Sequence, residues 1–497
     1  MLSNASRKVV LFLPPYAGRL LGPPLGLLSL AATLRANGYD PRIIDGALDP
    51  DYLTTIARET QDCLCFGVSL LTGPMIREAI TAARLVKAAR PELMVIFGGW
   101  HPSLLPGQAL REDYVDVVVR HQGEQTLLEI LQRIEKGTSL EMVAGCWFKV
   151  DGRIHQNPDR PGSAITALPG PAYDLIDFDA YERAGGGRKL PYATSIGCPY
   201  ACNYRTDMVF YNRRFNALDA MRALEEVTDL VRCHRLEEVA LVDSNFLVDV
   251  HRAVALAQGF LDSGVKFRWT FQASTDLLCR MTDEEVQLLG ASGCSHIGFG
   301  TESGFAEVLA AMNKRHQEIP DISEAVRKCR LAGIRVTLNL IFGYPGEEER
   351  HRRETLRVMG EIAARYDNVT FSPNIFVPYP GIPIWPELKS RGLAEPASLS
   401  EWADIELGKN SLPWLGGRSY AELKRGISYF LLDHQLSKAN RRSTSDTFHA
   451  LVNLVRRPLH WRLRHHFFAW PLELWFAMWS KRLVIRRSLL TGQPLHG

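Results

Sequence analysis

The sequence lacks any long apolar run. None of its stretches reaches the roughly 20 apolar residues of a bilayer-spanning helix. Met1 to Val10 also lacks the basic start and apolar core that mark an export signal. A cytoplasmic chain is therefore expected. Cysteine is scarce, scattered and odd in number, nine in 497 residues. That argues against a disulfide framework and for reduced thiols or metal ligands. Net charge is small as well, with 58 Lys and Arg against 55 Asp and Glu. The whole chain offers no field to select a nucleic acid, and no repeat of solenoid period occurs. What it does have is length and an ordinary core composition, 46% hydrophobic and 23% charged, which implies two or three domains.

The fold class read from these residues is α/β. Val9–Leu13, Arg42–Asp45, Cys65–Ser69, Met94–Phe97 and Val115–Val119 read as short apolar strands, with a helix over Leu25–Asn37 closed by Gly38. Continuous apolar strands alternating with helices imply a parallel sheet covered on both faces, with ligands at the carboxyl ends of its strands. Residues 1–150 form this first domain, and 151–190, rich in Pro, Gly and Asp, read as a linker with little regular structure. A second alternating series fills 191–392. Its six strands, Tyr192–Ser195, Glu238–Val242, Phe267–Gln272, Ser295–Gly300, Arg335–Phe342 and Val369–Phe376, are fewer than the eight of a closed barrel, so a partial barrel is expected. Residues 393–497 read as a helical, basic C-terminal region.

Cys198 and Cys202 stand in a tight loop after the first strand of the second series. Short cysteine spacings let one loop wrap an iron–sulfur cluster, although two cysteines four apart are a weak signal alone. The surrounding Ile196-Gly197-Cys198-Pro199-Tyr200-Ala201-Cys202-Asn203-Tyr204 closely resembles the C-x-x-x-C-x-x-C cluster loop of radical SAM enzymes. Leu241–Asp249, Gly298–Gly304, Phe342–Glu347 and Pro378–Pro383 resemble further segments of that family, in the family's order. Upstream, Pro23–Leu27, Gly98–Ser103 and Val117–Glu124 resemble the cobalamin domain that precedes many radical SAM domains.

The resemblance implies three cofactors: a [4Fe–4S] cluster, S-adenosylmethionine and cobalamin. It implies Cys198 and Cys202 as cluster ligands, but Arg205 stands where a third cysteine is expected. Arginine is cationic with no lone pair for iron; Asp207 or Cys233 would be a ligand from elsewhere. Tyr204, Asp243, Gln272, Glu302 and Gly343 are the implied S-adenosylmethionine contacts, with Glu302 able to accept ribose hydroxyls. Pro24, Leu25, Gly26, Ser69, Gly98, Gly99, His101, Gly123 and Glu124 are the implied cobalamin contacts. His101 and His121 are the imidazoles at hand, and a loop histidine before proline reads first as positional.

The implied activity is methyl transfer to an unactivated centre of a small-molecule or lipidic substrate, with an external electron donor. Two alternatives stay open: a catalytically impaired cobalamin-binding relative, and a ring-forming oxidoreductase. From Lys438 onward eleven basic residues face two acidic ones, and Phe467–Trp479 is apolar and aromatic. This tail reads as a helical subdomain packed on the barrel, or as a peripheral membrane contact.

Overall fold

The computed structural model describes residues 7–405, 412–442, 445–465 and 467–477. The first sheet has seven strands: β1 Lys8–Leu13, β2 Asp40–Asp45, β3 Cys65–Ser69, β4 Met94–Gly98, β5 Val117–Val119, β6 Cys146–Val150 and β7 Arg153–Gln156, in the order 2-1-3-4-5-6-7. β1 to β5 are parallel, as their continuous apolar runs require, and β6 and β7 add an antiparallel edge. Val9 and Leu11 enter one buried cluster and Val10 and Phe12 the other, so helices cover both faces.

The edge hairpin departs from the expected linker. Asp151 and Gly152 form its two-residue turn, both with positive φ (48° and 73°). Asp-Gly suits that turn because its backbone twist matches the flanking strands. The sheet therefore runs past residue 150. Beyond it, 157–188 holds short 3-10 turns and one helix, Phe178–Arg183, capped by Asp177.

The second sheet holds six parallel strands in the order 15-14-13-12-11-8: β8 Lys189–Tyr192, β11 Glu238–Leu241, β12 Arg268–Ala273, β13 Cys294–Glu302, β14 Arg335–Phe342 and β15 Val369–Ile375. A two-strand ladder, β9 Ser195–Ile196 with β10 Asn216–Ala217, brackets the cysteine loop. Helices Ala220–His234, Val250–Asp262, Asp283–Ala291, Ile319–Leu331 and Glu349–Arg365 connect the strands. This is the expected open (β/α)6 arrangement.

The C-terminal region divides in two. Leu399, Trp402 and Ala403 return to the first domain and join its core. Helices Gly417–Arg442 and Asp446–His465 pack as a pair, and Phe430 meets Phe371 of β15 with ring centres 5.0 Å apart. Their outer side leaves Trp461, Trp470 and Trp475 exposed. Trp479, Lys481, Arg482, Arg486 and Arg487 of the basic tail lie outside the described residues. Among the described residues no helix is long and apolar enough to cross a membrane.

Candidate cofactor cavity

The carboxyl ends of both sheets open into one cavity of about 750 Å³. Its first wall is mostly backbone. Ser69 ends β3, Gly98 ends β4, and Gly99 turns the chain into helix Trp100–Leu104. Gly99 has φ 90°, and a Cβ there would lie 2.8 Å from the Leu70 carbonyl oxygen, so only glycine fits. Leu25 and Gly26 at the start of the first helix and Gly123 and Glu124 at the start of helix Glu124–Lys136 complete this side.

Two residues expected on this wall are elsewhere. Pro24 is buried before the first helix, and its carbonyl accepts the Leu28 N–H. His101 is fully buried; its Nδ1 lies 3.0 Å from the Thr72 hydroxyl and its ring packs edge-on to Trp402. Burial pushes its pKa down to about 3. His101 therefore belongs to the core rather than to the cavity. Trp100, one residue earlier, lines the cavity and meets Phe210 and Tyr211 with ring centres 4.3 and 5.9 Å away.

The second wall is made of side chains. Asn203 anchors the cysteine loop: its Nδ2 donates to the Ala311 carbonyl (2.9 Å) and its Oδ1 accepts from Tyr344 (2.8 Å). Tyr200 donates to Asp276 (2.6 Å) and stacks on His316. Burial pushes the His316 imidazole down to about 4, so it is neutral. Tyr204 donates to Glu302 Oε1 (2.8 Å), and Lys314 Nζ lies 3.1 Å from the same oxygen. Gln272 lies over Gly298, where a Cβ would collide with it at 2.2 Å.

Asp243 is nearly inaccessible and already satisfied. It accepts from the Thr194 N–H (2.8 Å), the Thr194 hydroxyl (2.6 Å) and the Ser195 hydroxyl (2.5 Å), with Arg252 3.4 Å away. Its work is to tie the segment after β8, Thr194 and Ser195, to the chain leaving β11. Gly343, expected at the cavity, is covered instead by Leu412 and Leu415, and its carbonyl accepts from Trp414.

Cys198 and Cys202 are both buried, and burial pushes the Cys202 thiol up. Arg205 pairs with Asp207, and its Nη2 donates to the Ser244 carbonyl (3.3 Å). Burial works against the Arg205 charge and Asp207 more than restores it. Ser244 also donates to Asp207 (3.2 Å), so that carboxylate is committed. Cys233 is exposed on helix Ala220–His234. Among the described residues no three His, Cys, Asp or Glu side chains form a metal-binding group. The donor set does not fit a cluster held by three thiolates.

Cobalamin and S-adenosylmethionine meet a different test. Five buried polar atoms of cavity-lining residues have no protein partner: His121 Nδ1, Gln122 Oε1 and Glu124 Oε2 on the first wall, Asn245 Oδ1 and His316 Nε2 on the second. Buried polar atoms are rarely left unpaired, so both walls have the chemistry of a ligand site. Lys314, His316, Trp100 and the strap Pro169–Pro171 were not singled out from sequence. Only the Gly-Gly-Trp juxtaposition carried a local signal; the others reach the cavity through long-range packing.

The sequence matches the B12 binding domain model over residues 19–131 and the Radical SAM superfamily model over residues 192–359. An uncharacterized methyltransferase of Pyrococcus horikoshii is 27% identical over 391 residues, covering 76% of this chain and 82% of that protein. Hopanoid C-3 methylase of Methylococcus capsulatus is 26% identical, covering 73% and 68%. Anaerobic magnesium-protoporphyrin IX monomethyl ester cyclase of Rubrivivax gelatinosus is 23% identical, covering 68% of this chain and 61% of the cyclase. The fold is shared with TsrM of Kitasatospora setae, solved with cobalamin and a [4Fe–4S] cluster (TM-score 0.67, 18% identity, 80% and 84% covered), and with OxsB, solved with aqua-cobalamin and S-adenosylmethionine (TM-score 0.70, 16%, 93% and 72%). With both domain models matched in order on the two sheets that share the cavity, the chain belongs to the radical SAM proteins that carry a B12 binding domain.

Proposed function

We propose that this chain holds cobalamin and S-adenosylmethionine against each other in the shared cavity and serves methyl transfer to a small-molecule substrate. The observation that carries this reading is the pairing of the two walls around one cavity, each lined by residues that hold unpartnered buried polar atoms. The methyltransferase relatives support the reaction class.

Bound cobalamin supplies a cobalt centre able to carry a methyl group. Ser69, Gly98 and Gly99 let backbone approach it closely. Burial raises the Glu124 pKa and the Ser29 hydroxyl hydrogen-bonds its other oxygen (2.7 Å), leaving Oε2 as the contact. Burial lowers the His121 pKa, so this imidazole is a neutral partner. Trp100, Phe210 and Tyr211 exclude water between the two halves. On the second wall Asn245, Gln272, Glu302 and His316 are the polar contacts for S-adenosylmethionine, and Asp243 keeps their strands in place. No step is assigned to an iron–sulfur cluster.

The test is retention of hydroxocobalamin at about one per chain through gel filtration, followed by S-adenosylhomocysteine formation under reductant. A chain that retains no cobalamin overturns the reading. Arg205 favours a second reading, a cobalamin- and S-adenosylmethionine-binding relative without radical chemistry. Release of 5′-deoxyadenosine would reject that second reading. The exposed Trp461, Trp470 and Trp475, in the same segment of sequence as exposed Arg457 and Arg464, support peripheral contact with an anionic bilayer, tested by co-sedimentation with phosphatidylglycerol vesicles; equal recovery with neutral vesicles would reject it.

A further inference from the structure

The cavity has three basic side chains in its lining: Arg205, Arg222 and Lys314. Two are spent. Arg222 donates from Nε to Glu226, from Nη1 to the Thr166 carbonyl and from Nη2 to the Leu168 carbonyl. Lys314 is 4% exposed and donates to Glu302 and to the Gly300 carbonyl. Arg205 differs. Its protein contacts, with Asp207 and the Ser244 carbonyl, both run through Nη2. Nε and Nη1 have no acceptor among the described residues, and a third of the side chain is open. A guanidinium cannot shed its charge. Its Nε and Nη1 are therefore free to donate to an anionic oxygen in the cavity.

We infer that Arg205 is the carboxylate-binding residue for S-adenosylmethionine in this chain, holding the amino-acid end of the molecule that a cluster iron would otherwise hold. The inference rests on the reading that this wall takes S-adenosylmethionine. That ligand carries one anionic group, its carboxylate, and among the described residues Arg205 is the lining arginine or lysine that has nitrogens, Nε and Nη1, with no protein acceptor. Asp207 keeps the guanidinium oriented, and Ser244 holds Asp207 (3.2 Å). Binding through Arg205 needs no metal, so S-adenosylmethionine binds the chain without iron.

Full-length chain, with and without added hydroxocobalamin, is titrated calorimetrically with S-adenosylmethionine and with its decarboxylated form, which keeps the sulfonium and amine. The native chain is expected to prefer the carboxylated ligand by about tenfold or more, the scale of a hydrogen bond to a charged group. Arg205→Gln is expected to erase that preference while leaving affinity for the decarboxylated form unchanged, and Arg205→Lys to restore part of it. After anaerobic reconstitution the native chain is expected to carry well under a four-iron complement, and Arg205→Cys to gain iron. Equal affinity of the native chain for both ligands, an unchanged preference in Arg205→Gln, or a full four-iron complement in the native chain would each overturn the inference. The native-chain comparison decides even where a variant fails to fold. Failure of cobalamin retention alone would overturn the proposed function and leave the Arg205 measurements standing.

Discussion

The two walls of the cavity are built of different material. The first presents largely backbone to the cavity, at Gly98, Gly99 and Gly123. The second is a set of side chains already bound to one another: Asp243 with Thr194, Ser195 and Arg252; Glu302 with Tyr204 and Lys314; Arg205 with Asp207. A backbone wall tolerates change at positions where no Cβ intrudes. A wall of paired side chains depends on each member, so one substitution can change its chemistry while the fold persists. Arg205 stands at such a position.

The largest expected effect falls on the second wall. Asp243→Ala strands Arg252, whose side chain is 6% exposed, and leaves three donors without their acceptor. Breaking a buried pair from one side costs about 3–5 kcal/mol. Thermal unfolding should show that loss, with Asp243→Asn milder; a shift as small as a surface substitution's would mean the network does not hold the Thr194–Ser195 segment to the end of β11.

Next is a carboxyl that neither wall uses. Glu347 accepts from the Gly343 N–H (2.5 Å), and burial raises its pKa to about 7 against the opposing pull of that N–H and Arg352. The unfolded chain gives up this proton near the usual 4.5, the folded chain near 7. Between those values the folded state binds more protons, so stability falls as pH rises from about 4.5 to 7 and is level above. The contribution is about 3 kcal/mol. The difference between native and Glu347→Gln unfolding curves across this window isolates it; parallel curves would refute the assignment.

The first wall is tested at Gly99. Its φ of 90° with ψ of −165° is a glycine-only conformation, and Gly99→Ala brings a Cβ against the Leu70 backbone. The strain is about 1–3 kcal/mol. Cobalamin affinity should fall while S-adenosylmethionine affinity holds, a split readable by titrating each ligand. Equal loss of both would mean that the two walls are not independent.

Much of this arrangement was legible in the sequence, because glycines after strands and cysteines in a tight loop are local signals. β14 is read at its observed bounds, Arg335–Phe342, and the other second-sheet strands within a few residues. What escaped depends on which way a helix turns or on distant chain. His101 was expected among the cobalamin contacts because it follows the Gly98-Gly99 turn. In a helix, neighbouring residues point about 100° apart, so Trp100 takes the cavity and His101 takes Trp402, from a segment 300 residues later. Gly343 was lost to the cavity for the same kind of reason, since 412–415 covers it. Lys314 sits in a turn with no periodicity, and only its reach to Glu302 reveals it.

The smallest expected effect concerns the remaining thiol proposed from sequence. Cys233 lies in the last turn of helix Ala220–His234, exposed, and the loop thiols Cys198 and Cys202 are buried at 4% and 3% exposure. A ligand on an exposed turn would have to bring the end of this helix into the core, against the contacts that bury Val227 and Val231 on its inner face. Cys233→Ser should therefore change stability by no more than about 0.5 kcal/mol and leave cobalamin retention and S-adenosylmethionine affinity unaltered. Iron uptake by Arg205→Cys should be the same with and without Cys233→Ser. If iron uptake instead fell with Cys233→Ser, the second wall would be more mobile than its paired side chains allow, and the contrast between the walls would fail at its strongest point.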